Sequence, residues 1–278
     1  MADLSRTKSD LPSRLLIVFY LLTFAITWSI GGLYLFAPQW AVARFGDISG
    51  AHPFFFLGTW APGISALVLV LFYGGVGGLK RFLGRLFWWR GSPYWAAFIL
   101  LGVPAVYVAG SWMKGGGMLA PLPSQGIGAG IAILFMMLFL GPVEEFGWRG
   151  VAQPILQRHL APLWAGVVIG LFWGLWHLPA FFLTNTVFAS WSFFPFLIGN
   201  IVLAVLVTPI FNAARGSLLW PMLFHWQLIN PFWPDAQPYD TWILLAIAVL
   251  VVWWNRETML KRGEAVTEVM PQAKGVVQ

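Results

Sequence analysis

The chain has 278 residues, of which 59% are hydrophobic and only 9% charged, with 18 Trp, 24 Phe and a net charge of +6. A soluble domain carries roughly a quarter charged residues, so the composition excludes an ordinary water-soluble fold and implies a polytopic membrane protein. There is no cysteine, which removes disulfides, thiol nucleophiles and cysteine-ligated zinc.

A membrane-crossing helix needs about 20 apolar residues. Eight such spans are predicted, at residues 15–36, 53–73, 93–113, 127–150, 162–183, 192–213, 216–232 and 241–255. The expected fold is all-α, one bundle of about eight transmembrane helices. Residues 1–14 form an N-terminal tail, 15–256 the membrane domain, and 257–278 a polar C-terminal tail without regular order. The apolar run from Leu15 to Phe36 is longer than the roughly 7–15 residues of a signal-peptide core and is taken as a retained first span. Of the 16 Lys and Arg residues, all but Arg44 and Lys114 fall on one side of this map. That asymmetry predicts a multi-pass protein of the inner cell membrane with both termini cytoplasmic, and it assigns the basic charge to topology rather than to nucleic acid. The Lys80–Arg90 stretch is either an interfacial amphipathic segment or a basic loop.

The fourth span runs into Gly141-Pro142-Val143-Glu144-Glu145-Phe146-Gly147-Trp148-Arg149. Every other Asp and Glu falls in an expected loop or tail. A carboxylate within hydrocarbon is costly and marks a functional site by default. On a helix Glu145 and Arg149 are i,i+4 and can pair. Glu144 points about 100° away from Glu145 at 3.6 residues per turn. Glu145 is therefore expected to be neutralised by Arg149, leaving Glu144 without an obvious local partner as the candidate general base. Pro142 is expected to kink the helix and open a polar pocket.

The fifth span carries Trp173-Gly174-Leu175-Trp176-His177. A hairpin turning near Arg158–Pro162 would bring His177 level with Glu144. In the seventh, His225 followed by Asn230 could supply hydrogen bonds to an oxyanion. Taken singly, His225 is more often a packing residue and the Glu145–Arg149 pair a structural one. Two Glu and two His on three spans, in a chain nearly free of buried charge, point together to a catalytic or ion-handling pocket.

These motifs, Glu-Glu-x-x-x-Arg at 144–149, an aromatic four residues before His177, and His225 with Asn230, resemble the CPBP family of intramembrane proteases. This is the CAAX-prenyl-endopeptidase-like group, which includes bacteriocin self-immunity members. The resemblance implies a hydrolase in which Glu144 and His177 activate a water, Glu145 and Arg149 complete the first motif, and His225 with Asn230 stabilises the oxyanion. It also implies a possible divalent metal, zinc foremost, with Glu144, His177 and His225 as ligands. The substrate would be a hydrophobic or lipidated membrane protein entering a pocket open toward the cytoplasm. Two departures stand out. Trp173 replaces the family's usual Phe, and Asn230 lies five residues after His225 instead of four, so that the helix must unwind near Pro231 or Asn230 does not fill the role. No His-Glu-x-x-His or Gly-x-Ser-Gly motif occurs. Arg44 stands where the aspartyl type's Gly-x-Gly-Asp needs its first glycine. The rival readings are a non-enzymatic immunity or scaffold protein, and a proton-coupled transporter relaying through Glu144 and His177.

Overall fold

The computed structural model describes residues 10–263 and 265–272, and those residues are helical without strands. Arg6, Lys8 and Lys274, which entered the charge map, lie outside the described residues. Nine helices organise the bundle: α1 (Leu15–Phe36), the short α2 (Pro38–Phe45), α3 (Pro53–Gly84), α4 (Pro93–Met113), α5 (Ile127–Gln157), α6 (Pro162–Trp176), α7 (Phe193–Ala213), α8 (Leu219–Leu228) and α9 (Tyr239–Trp254). Proline opens α2, α3 and α6, where its missing N–H costs nothing.

Six described helices are long and apolar enough to cross a membrane, against the eight expected. The remaining two occupy the predicted places but are short. At 1.5 Å per residue, the ten residues of α8 reach only about 15 Å. A belt of exposed apolar side chains, Phe72, Leu101, Phe139 and Val249 among them, surrounds the bundle as lipid-facing surface requires.

Close packing depends on small residues. Gly166, Gly170 and Gly174 line the face of α6 against α7, and a Cβ at Gly170 would lie 2.7 Å from the carbonyl oxygen of Asn200. Helix α3 bends at Gly75, whose φ of 61° lies in the left-handed region.

One end of the bundle gathers the positions that the charge map put on one side. The Arg158 side chain bonds Asp10, the carbonyl of Leu11 and that of Thr267. Asp10 in turn accepts the backbone N–H groups of Val269 and Met270 at 2.8 and 2.9 Å. The tail is therefore not a loose polar segment over these residues. Val269 and Met270 are buried and join the main hydrophobic cluster. Nor is Arg85 part of an interfacial or basic loop. It is completely buried at the end of α3 and donates to the carbonyls of Gly150, Gly216 and Val269. At the opposite end, Lys114 and Asp235 tie two connections together at 2.6 Å.

Candidate active site

Helix α5 breaks where the sequence places Gly141 and Pro142. Turns at 138–140 lead into a 3-10 turn at Gly141–Glu144, a single α turn at Glu145–Gly147 and a π turn at Trp148–Ala152. Pro142 cannot donate to the ladder, and Leu140 leaves helical geometry at φ −101° and ψ −89°. Helix α8 supplies His225, and α6 supplies Trp173 and, at its end, His177.

Glu144 and Glu145 diverge as the helical spacing requires. Glu145 Oε1 accepts from Arg149 Nη1 at 3.0 Å and also from His225 Nδ1 at 2.7 Å. All three residues are buried. His225 is thus anchored to the second glutamate, a link that residue spacing did not reveal. Its other nitrogen, Nε2, lies close enough to Gly141 that any side chain at 141 would collide, with a Cβ only 2.6 Å away.

Glu144 is not without partners, as the sequence suggested. Its Oε2 accepts the indole N–H of Trp173 at 2.8 Å and that of Trp148 at 3.3 Å. Indole nitrogen can only donate, so Glu144 Oε2 is the acceptor in both bonds. A phenylalanine at 173 could not make the first of them. The Trp173 ring also lies 4.9 Å from the Arg149 guanidinium and makes edge contact with His225 at 5.3 Å. Trp173 therefore touches Glu144 and both partners of Glu145.

His177 is held by its Nδ1 against the carbonyl oxygen of Trp173 at 2.8 Å. A carbonyl only accepts, so Nδ1 carries the proton and Nε2 keeps a lone pair. Phe188 and Phe196 pack beside the ring at 5.4 and 5.0 Å between centroids. Neither aromatic stood out in the sequence among 24 Phe.

Glu144, Trp173, His177, His225 and Asn230 all border one cavity of about 720 Å³. Asn230 follows the end of α8, because the helix stops at Leu228. Its amide bonds Gln227 at 3.1 Å, and its oxygen accepts the N–H of Phe232 at 3.0 Å. Asp240, expected in a loop, instead sits buried in the first turn of α9 and lines the same cavity.

Both imidazoles have an outer hydrogen-bond partner of the kind that orients metal ligands. Yet among the described residues no three His, Asp or Glu side chains stand close enough together to hold an ion. The set Glu144, His177 and His225 does not fit a three-ligand metal as placed, and the chemistry below is derived from protein groups alone.

The pocket also departs from the expected direction. Exposed Gly50, Asn185, Val187 and Asp235 stand on its rim. They belong to the connections at the end away from Asp10, Arg158 and the C-terminal segment. The cavity does not open on the side carrying Asp10, Arg158 and residues 265–272.

Residues 127–229 match the family described as Type II CAAX prenyl endopeptidase Rce1-like. Over this part of its length the chain is similar to that CAAX-protease family. Within that family's matched range fall Glu144, Glu145, Arg149, Trp173, His177 and His225, and Asn230 lies one residue beyond it. The chain is also 24% identical over 143 residues to CAAX prenyl protease 2 of Methanococcus maripaludis. That alignment takes in 48% of this chain and 53% of the relative, so the chain spans about half the length of the relative it matches.

Proposed function

We propose that the chain is an intramembrane endopeptidase that hydrolyses a peptide bond of a hydrophobic or lipidated protein substrate near the membrane. The observation that carries this reading is the asymmetry of Glu144. One oxygen is held by two indole N–H groups, while the residue borders an open cavity that His177 and His225 share.

In this reading Glu144 takes a proton from water as the oxygen attacks the scissile carbonyl carbon. His177, with Nδ1 committed to a carbonyl, accepts a hydrogen bond from the same water at Nε2 and orients it. His225 in its protonated form donates from Nε2 to the oxyanion. Collapse of the tetrahedral species breaks the carbon–nitrogen bond, and Glu144 returns its proton to the leaving amine. Asn230 has its amide turned to Gln227 and would join the oxyanion contacts only by exchanging that bond.

The similarity of residues 127–229 to the CAAX endopeptidase family and the resemblance to a CAAX prenyl protease support hydrolysis over the scaffold and transporter readings. The one-sided distribution of basic residues supports an inner-membrane location with cytoplasmic termini. The test is comparison of membrane-protein termini in cells carrying the wild-type chain or Glu144→Gln. Peptides absent only from the variant would identify substrates; identical sets of termini would overturn the peptidase. Metal analysis and chelation of the purified protein test zinc, and activity surviving chelation would leave the chemistry with Glu144 and the two imidazoles.

A further inference from the structure

We propose that the cavity takes its substrate from the extracytoplasmic side, and that this substrate is an apolar or amphipathic polypeptide segment at the outer leaflet. The inference rests on the peptidase reading above but concerns a separate property, the side of the membrane from which the site is reached.

The cavity wall is confined to one half of the bundle. Among the described residues its lining starts at Thr27 on α1, skips from Thr59 to Tyr107, from Glu144 to Trp173 and from Leu203 to His225, and ends at Leu244 on α9. Each gap is the portion of chain that runs to the basic end and back. The mouth lies instead among the α2–α3 connection, the connection after α6 and the α8–α9 connection. Glu144 is thus the innermost point of a pocket entered from the end away from Asp10, Arg158 and residues 265–272.

Among the described residues the basic end is densely packed. Trp148, Ile155, Phe211 and Leu218 are fully buried immediately beyond Glu144. Arg85 ties the ends of α3, α5 and α7 and the C-terminal segment together through three carbonyls. Val269 and Met270 then cover that layer. A cytoplasmic chain terminus would have to displace all of it to reach Glu144. Since Arg44 and Lys114 are the only basic residues mapped to the mouth's side, the positive-inside bias makes that side extracytoplasmic.

The wall also discriminates between occupants. Phe54, Phe188, Trp191 and Phe196 offer apolar surface, while Asn200, Gln237 and Thr241 lie among them. Their donors are already committed within the wall, Asn200 to the Phe196 carbonyl, Thr241 to that of Pro195 and Gln237 to Asp240, which leaves their oxygens as acceptors. Backbone N–H groups of a peptide supply donors to them, and a prenyl chain has none to offer. The aromatic surface would take the peptide's side chains and the polar groups its main chain.

The chain has no cysteine, so single-cysteine variants report position directly. Ser190→Cys and Asn185→Cys mark the mouth, Ala180→Cys the interior of the cavity, and Arg262→Cys the opposite end, each in the full chain. Cells stripped to the inner membrane are treated with a charged maleimide that does not cross it. The expected result is labelling at 180, 185 and 190 in sealed cells, and at 262 only after the membrane is opened. Labelling at 262 in sealed cells with none at 185 and 190 would overturn the proposal. So would a position 180 that stays unlabelled while the mouth reacts. In a second arm, a quenched apolar decapeptide carrying a sulfonated dye is added outside. Cleavage by the wild type and not by Glu144→Gln supports the substrate assignment. Expected labelling without cleavage keeps the outward mouth and rejects the peptidase and its substrate. Reversed labelling with cleavage only from inside rejects the outward mouth and keeps the peptidase.

Discussion

Two of the places where ionisable side chains are buried, around Arg85 and around Glu144, are built to different ends. Around Arg85, nitrogen donors are directed into the carbonyls of Gly150, Gly216 and Val269, aromatic rings of Phe82 and Phe211 lie alongside, and the residue does not line the cavity that Glu144 borders. Around Glu144, two donors hold one carboxylate oxygen while the other side of the residue faces open space beside two imidazoles. The first arrangement joins helix ends. The second keeps reactive valence available next to room for a substrate. A buried ionisable group is thus a weak sign of chemistry by itself, and a stronger one when part of its hydrogen-bonding capacity is left toward a cavity.

Substitutions can break that contrast, the largest effect first. Glu144→Gln keeps the size and the indole bonds to oxygen but removes the base, so peptidase turnover should fall about 10²–10⁴-fold with the thermal midpoint in detergent hardly moved. Wild-type turnover would place the chemistry elsewhere. Gly141→Ala adds a Cβ that would sit 2.6 Å from His225 Nε2. Displacement of that ring by an ångström should cost on the order of 10²-fold in kcat/KM, and an unchanged rate would show that His225 does not act on the reacting atoms.

Arg85→Met should do the reverse, leaving activity per folded molecule intact while lowering stability by about 2–3 kcal/mol, since charged hydrogen bonds are lost and carbonyls are left unpaired. Its readout is the denaturation midpoint of the purified chain, and a fall in kcat at unchanged stability would erase the distinction between the two regions. The smallest effect is expected of Trp173→Phe. It retains a ring under Arg149 but deletes one N–H to Glu144, worth about 1–2 kcal/mol and hence roughly tenfold in rate. A pH–rate profile that shifts in this variant and not in Phe188→Leu would tie the change to Glu144 rather than to packing.

Much of the architecture was legible in the residues. The predicted spans and the observed helices coincide closely for α1, α4 and α7, where apolar runs are bounded by proline or polar residues. Span count was less so. Helix α8 lies in its predicted place, but its run is cut by Gly216 at one end and by Pro231 at the other, and residues between them do not reach the membrane thickness. Helix α3 outlasts its predicted end by passing through Gly75 in a left-handed kink that hydropathy does not register. The tail was misjudged because its binding to Asp10 and Arg85 joins residues more than 180 positions apart.

The site was legible in its members and not in its wiring. The i,i+4 spacing brings Arg149 to Glu145, and that bond is present. Nothing local indicates that His225 shares the same oxygen across 80 residues, or that the Trp at 173 donates to Glu144 across 29.

Composition and short-range spacing alone determined that this is a membrane-embedded helical chain with two adjacent acids on one helix interrupted by proline, because hydropathy and helical periodicity are properties of neighbours in sequence. Which partner each acid takes, and at which end the cavity opens, was decided only by the tertiary structure. Those outcomes depend on how α5, α6 and α8 meet and on which end the C-terminal segment seals, and these are contacts between residues that sequence separation keeps apart.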